Sequence, residues 1–338
     1  MLTGFHKYRS ISGVNINIIN TTVKTTTNRR LFSEGIKSKF DRNEFNHTVG
    51  AMRNFFKQKG WKEVTMQHQP SIMAACEDPW TLVPFVFDGE TWPLPQTSQM
   101  WLEYELLKDP DVEGIYTLST SYREEPHPIA GRHQTIFPMF EFESKGDFGQ
   151  LMALEKDLLE HLGFGERRTY KNISYNEACQ ELGVEDVDAE EERELENRFG
   201  SVVFLHRFPE RTSPFWNMKR DSSAFPMEKD GMTVWKPENI ARKIDVILCG
   251  QETIGSAERS TDKDQMRETF ETISDGQYAK KIRDLFGEQR VDQELDEFFS
   301  LDFIPRYGGG IGVHRMIRAM KRRGLIPQKP LYPDYSIV

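Results

Sequence analysis

Apolar residues first recur with helical spacing in "FNHTVGAMRNFFKQ", residues 45–58, where Phe45, Val49, Met52, Phe55 and Phe56 share one face. Lys59-Gly60 stops that helix, and "WKEVTMQHQP" alternates like a strand up to Pro70. After a loop, "LVPFVFDGETWPLPQ" reads as a hairpin turning at Asp88-Gly89. Residues 97–107 predict a helix, and "GIYTLSTSYRE" and "TIFPMFEFES" predict two strands around a loop at 126–134. Helices are expected at 148–162 and at 187–198, the second acidic and solvent-facing. "KIDVILCGQET" predicts a buried strand, and residues 262–299 are mostly helical in pattern. The stretch "FIPRYGGGIGVHRMIRAMKRRG" reads as a strand, a glycine turn and a helix closed by Gly324. Strands dominate the middle of the chain without a regular βαβ alternation. The expected fold is therefore α+β, an antiparallel β-sheet flanked by helices.

Composition narrows the function classes. The chain has 338 residues, enough for a substantial core, and a net charge of −9. That acidity argues against a general nucleic-acid coat, which needs an excess of Lys and Arg. Cys76, Cys179 and Cys249 lie far apart, so neither a disulfide framework nor a zinc site is suggested. No apolar run approaches a membrane span, and no membrane partner is expected. Residues 1–33 carry Lys, Arg and Thr but no Asp or Glu. Lacking an amphipathic stripe, they read as a polar arm rather than a transit peptide, with the cytoplasm as the expected compartment. The expected division is an arm at 1–41 and one domain at 42–338.

Three segments carry candidate chemistry. "STSYREEPHPIAGRHQTIFPMFEFE", residues 119–143, places Arg123, Arg132 and His133 around a hairpin, with Phe137 on its return strand. A solvated hairpin with paired charges would look similar; a site gripping a planar anion would need these groups. "DVILCGQETIGSAERSTD", residues 245–262, delivers Glu252 from an apolar strand and then Arg259. The carboxylate suits a divalent cation and the guanidinium an anionic or amide group. In "YGGGIGVHRM", residues 307–316, the glycines permit close backbone approach before a helix. Arg315 in the first turn opposes the helix dipole unless an anion lies there. Together these groups could stack an adenine and neutralise a bent triphosphate, tasks suited to planar guanidinium groups.

At these segments the chain resembles the catalytic core of a class II aminoacyl-tRNA synthetase of the aspartyl/asparaginyl branch. "FFKQKGWKEVTMQHQP" resembles motif 1, "YREEP…GRHQTIFPMFEFE" motif 2 and "GGGIGVHR" motif 3, in family order over roughly residues 42–324. "QTSQMWLE" resembles the branch's substrate loop, and "GQETIGSAER" its metal-glutamate and substrate-arginine segment.

The resemblance implies ATP and Mg2+ as cofactors and an amino-acid substrate. It implies Arg123, Glu252 and Arg315 as catalytic, with Arg123 on the α-phosphate. It implies Glu125 near the adenine or the ammonium, Phe137 and Arg315 on the adenine, and Arg132 and His133 on the outer phosphates. Gly310 and Gly312 would line the nucleotide site. Glu252 would hold the metal, with Asp245 beside it. Gln96, Ser98, Gln99, Glu141 and Arg259 would bind the amino acid. Motif 1 implies a homodimer built on the stripe of residues 45–55.

Residues 1–41 are too few for the branch's anticodon-binding barrel. The chain therefore most resembles the free-standing asparagine synthetase-like paralogs, as "SPFWNMKRD" at 213–221 and the "GGGIGV" run do too. That implies transfer of the acyl group to ammonia or a small amine rather than to tRNA. A tRNA ligase with a separate tRNA-binding partner, and a non-catalytic regulatory paralog, are the alternatives. Leu102 stands where aspartate-binding members carry Lys, and Glu141 where they carry Asp; both changes point toward the asparagine pattern, with Arg259 as the remaining cation. Ile136 and His314 replace family acids beside Phe137 and Arg315.

Overall fold

A computed structural model of the chain describes residues 41–66, 70–74, 78–126, 128, 134–229 and 232–327. Helix α1 (Arg42–Gln58) is the expected amphipathic helix, but its stripe is used within the chain. Val49, Met52, Phe55 and Phe56 are buried, and the Phe56 ring lies 5.0–5.5 Å from those of Trp61, Tyr116, Phe140 and Phe142. Phe45 is half-buried. The stripe therefore cannot serve as a free dimer face, which corrects the basis on which that face was expected.

Strand β1 (Lys62–Glu63) is only two residues long and runs parallel to β4. The alternation that suggested a longer strand comes from Val64 and Met66, which pack on Leu102, Leu106 and Ile115. The hairpin of β2 (Pro84–Phe87) and β3 (Glu90–Pro93) forms as expected, with left-handed Asp88 (φ 51°) and Gly89 (φ 81°) at its turn. Then come α2 (Gln99–Lys108), β4 (Gly114–Tyr122), β5 (Ile136–Lys145) and α3 (Phe148–His161). Helix α3 starts at a capping box of Asp147 and Gln150.

The chain continues through β6 (Lys171–Ser174), α4 (Tyr175–Leu182), α5 (Ala189–Phe199) and β7 (Val202–Pro209). Strands β8 (Arg220–Lys229), β9 (Met232–Leu248) and β10 (Glu252–Glu258) follow, then α6 (Lys263–Thr272), α7 (Gln277–Phe286) and α8 (Glu288–Phe299). The last elements are β11 (Arg306–Gly312) and α9 (Val313–Arg322). Among the described residues one nine-stranded sheet runs β1-β4-β5-β11-β10-β9-β7-β6, with β8 paired to β9. Its central pairings, from β4 to β7, are antiparallel, in agreement with the expected α+β fold.

The glycines expected to form a turn lie instead inside β11, paired to β5 on one side and β10 on the other. Close packing explains the residue type. A Cβ on Gly308 would come within 2.5 Å of the Phe142 carbonyl oxygen and 2.6 Å of the Gln99 amide. One on Gly309 would lie 2.5 Å from Ser256 Cβ. Helices α6–α8 enclose Trp216, whose ring meets Phe270, Phe298 and Phe299 edge-on at 5.7–6.0 Å. Trp216 thereby anchors the 212–218 loop over the sheet.

Candidate active site

Two cavities meet over β5, β11 and β10. The first, about 280 Å³, is lined by Arg123, Glu125, Phe137, Glu252, Gly310, Gly312 and Arg315, all expected there from sequence. The Arg123 guanidinium stands over the Phe137 ring, 5.8 Å from its centroid. Alternation on β5 turns Phe137, Met139, Glu141 and Glu143 to one face, which puts Phe137 and Met139 in the wall. Arg315, in the first turn of α9, donates to the Glu252 carbonyl oxygen at 2.8 Å and its carboxylate at 3.3 Å. Glu252 therefore supplies the anionic partner that the dipole argument required. Arg132 and His133 lie outside the described residues.

The second cavity, about 210 Å³, shares Glu252, Gly255 and Gly310 with the first. Gln99 and Arg259 line it, as expected. Gln96 and Ser98 do not. The Gln96 side chain donates to the Asp78 carbonyl oxygen at 2.7 Å and to Thr81, and the Ser98 backbone N–H donates to Glu141 at 2.9 Å. Glu141 lies beneath the pocket, fully buried, accepting from Ser98 N–H and from the Thr97 and Ser119 hydroxyls. These three residues build the 96–98 loop rather than lining either cavity. Thr97 is the loop residue that reaches the cavity.

Arg259 belongs to a buried network. Its guanidinium lies 3.4 Å from Glu143 and 3.5 Å from Glu103, and Arg306 holds Glu103 at 2.6 Å. Gln99 also donates to Glu143. Burial pushes the Glu143 carboxyl up while Arg259 pulls it down. Sequence reading singled out Glu141 and missed Glu143, although the two share a face two residues apart. Arg318, one turn beyond Arg315 and in the wall of the first cavity, could have been found by the same periodicity. Glu103 and Arg306, 203 residues apart, had no local signal.

Leu102 is not in the pocket. It is fully buried among Leu106, Ile115, Val64 and Met66. The cation accompanying Arg259 in the second cavity is Lys243, whose ammonium lies 2.7 Å from Asp245. Leu102→Lys should therefore leave amino-acid preference unchanged and cost about 4 kcal/mol or more of stability, because it buries an ammonium among aliphatic groups. Urea unfolding of the variant measures this.

Asp245 and Glu252 form a carboxylate pair. From the position a Cβ on Gly255 would take, Glu252 Oε1 is 3.2 Å away and Asp245 Oδ1 3.6 Å. Asp245 Oδ1 is buried and accepts no hydrogen bond among the described residues. Burial pushes this carboxyl up to about 7, against the pull of Lys243. Two hard oxygen donors with room beside them fit Mg2+, which completes its shell with water and phosphate oxygens. No group of three His, Cys, Asp or Glu able to hold a metal occurs among the described residues.

Behind the sheet, Glu155 of α3 is fully buried, and burial raises its carboxyl to about 8 from 4.5, with Ser256 opposing. Between those values the folded chain keeps a proton that the unfolded chain releases, so stability falls as pH rises through the window. Glu155→Gln should flatten that fall by up to about 1.4 kcal/mol per pH unit. Denaturant midpoints from pH 5 to about 8 test it. Some slope should remain from Glu143 and Asp245.

The model "tRNA synthetases class II (D, K and N)" matches residues 6–335. The chain belongs to that family. This class II synthetase chain is 25% identical over 321 residues to the aspartate–tRNA(Asp) ligase of Thermococcus kodakarensis, covering 84% of this chain and 65% of the ligase. The asparagine–tRNA ligase of the same organism is 24% identical over 319 residues, with 84% and 66% covered. The chain thus spans just under two thirds of the length of those ligases. Its fold is shared with asparaginyl-tRNA synthetase from Pyrococcus horikoshii, solved with asparaginyl-adenylate (TM-score 0.61, 23% identity, 86% of this chain and 69% of that one). No helix among the described residues of the synthetase-family chain is long and apolar enough to cross a membrane.

Proposed function

We propose that this chain is an AMP-forming ligase that uses ATP to convert an asparagine- or aspartate-like amino acid to its aminoacyl-adenylate. The observation that carries this reading is the meeting of the two cavities at Glu252, Gly255 and Gly310. The first holds ATP, with Phe137 and Arg315 against the adenine, Glu125 near it and Arg123 on the α-phosphate. The second holds the amino acid between Gln99 and Arg259, and its carboxylate oxygen attacks the α-phosphorus and displaces pyrophosphate. Glu252 and Asp245 would hold Mg2+, which when bound would neutralise phosphate charge. The protein needs no nucleophile of its own, because positioning and charge stabilisation carry such a displacement.

The buried network sets two guanidinium groups against two carboxyl groups, and Lys243 is paired with Asp245. Because Arg259 and Lys243 each already face a carboxyl group, the pocket suits a neutral amide, and asparagine should be activated in preference to aspartate. For the second half-reaction, the net charge of −9 favours ammonia or a small amine, while the named relatives are tRNA ligases and support a tRNA acceptor at least as well. A homodimer in this reading uses a surface other than the stripe of α1, and sedimentation at micromolar concentration reads it. ATP–pyrophosphate exchange with each amino acid, followed by acyl transfer to ammonia or tRNA, tests the whole. A folded, ATP-binding protein that exchanges with no amino acid, tRNA present or absent, would overturn it.

A further inference from the structure

The turn between β9 and β10 carries Glu252 to the junction of the cavities, and it is gripped from outside by two helices. From α9, Arg315 holds the Glu252 carbonyl oxygen, and Arg318 donates to Gln251. Arg322, on the same face, bonds the Cys249 carbonyl oxygen and pairs with Glu196 of α5 at 2.9 Å. On the other side the turn presses on α5: a Cβ on Gly250 would lie 2.6 Å from Glu196 and 3.2 Å from the Arg193 backbone. Helix α5 is itself anchored, because Leu195 is fully buried with Val203, Leu205 and Ile247.

One contact from α5 reaches Glu252 directly. The Glu252 backbone N–H donates to Glu192 Oε2 at 2.8 Å, across 60 residues of sequence. Glu192 is 7% exposed, although it sits in a helix whose acidic sequence predicted a solvated surface. A carboxylate this buried is costly unless it is bonded, so its retention needs a use.

We infer that Glu192 is a positioning residue: by accepting the Glu252 N–H it fixes the backbone from which the Glu252 carboxylate projects into the junction of the two cavities. This rests on the role given to Glu252 above. Glu192 lines neither cavity, and its hydrogen bond reaches the site through the Glu252 backbone N–H. What the site needs from it is an acceptor oxygen at the right reach, so length matters more than charge. Glutamine keeps the reach and the acceptor, aspartate keeps the charge and loses the reach, and alanine loses both.

Two measurements on the full chain test the inference. In ATP–pyrophosphate exchange, Glu192→Ala should lower kcat by about 10- to 100-fold and raise the Mg2+ needed for half-maximal rate, the range found for partners that orient metal ligands. The amino-acid KM should change less than kcat, because Gln99 and Arg259 of the second cavity do not depend on the turn. Glu192→Gln should return kcat to within about threefold of wild type, and Glu192→Asp should not. Independently of activity, hydrogen exchange of the Glu252 amide should be faster in the alanine and aspartate variants and near wild type in the glutamine variant. Unchanged amide protection in Glu192→Ala overturns the inference. So does an aspartate variant that performs like wild type while glutamine fails, because charge and not position would then be the contribution. Glu252→Ala keeps the two readings apart. If its exchange rate is normal, the role of Glu252 is wrong, and amide protection still decides whether Glu192 holds the turn.

Discussion

Arg123→Ala should lower turnover in ATP–pyrophosphate exchange by about 10²- to 10³-fold while the KM for ATP stays within about threefold. The reason is where its charge is spent. Arg123 lines the first cavity over the Phe137 ring, so its guanidinium already faces the space proposed for the nucleotide. Its attraction for the α-phosphate grows as charge builds on the oxygens of the five-coordinate transition state, and interactions that strengthen in this way raise kcat rather than ground-state affinity. Arg315→Ala should behave differently and affect both parameters, because Arg315 also ties α9 to Glu252 through two hydrogen bonds. Equal, small effects of the two substitutions would mean that ATP does not lie across β5 and α9.

Arg259→Met should abolish amino-acid activation and destabilise the fold by about 3 kcal/mol above about pH 8, where Glu143 is ionised, the scale for removing one member of a buried ion pair. Arg259 is 4% exposed, and Glu143 and Glu103 are fully buried against it. Glu103 keeps Arg306 after the change, but Glu143 loses the cation that opposes its desolvation. A stranded carboxyl can escape by taking a proton. The wild-type carboxyl is raised to about 8, so the stability loss should be nearly level below that pH and grow as pH rises through it, since the variant's folded state binds its proton more tightly than wild type does. Paired urea titrations of wild type and variant at two pH values measure this. A loss that does not change with pH would mean that Glu143 finds another cation. Normal activation by Arg259→Met would remove the residue from the amino-acid pocket.

The hairpin at Asp88-Gly89, the strand pair around the 126–134 loop and the α+β class were all legible in the sequence, because each depends on local periodicity and turn chemistry. So was much of the first cavity. Arg123, Glu125, Phe137, Glu252, Gly310, Gly312 and Arg315 sit in three short motifs, and one shared cavity contains them all. What failed did so where a residue's environment comes from elsewhere in the chain. Leu102 and Glu141 occupy motif positions, yet their surroundings are set by β1, β4 and the 96–98 loop, which turn one into the core and tie down the other. The stripe of α1 is apolar whether it meets a second copy or its own sheet, and periodicity cannot tell the two apart. The glycines of β11 look like a turn until the strands on both sides are placed, after which their lack of a side chain is what lets Glu143, Gln99 and Ser256 crowd in. Side-chain pattern along the chain determined which elements form and which groups carry charge. Only tertiary packing decided what the buried charges face, because Glu103 with Arg306 and Glu192 with the Glu252 backbone N–H are contacts across 203 and 60 residues that no local spacing records.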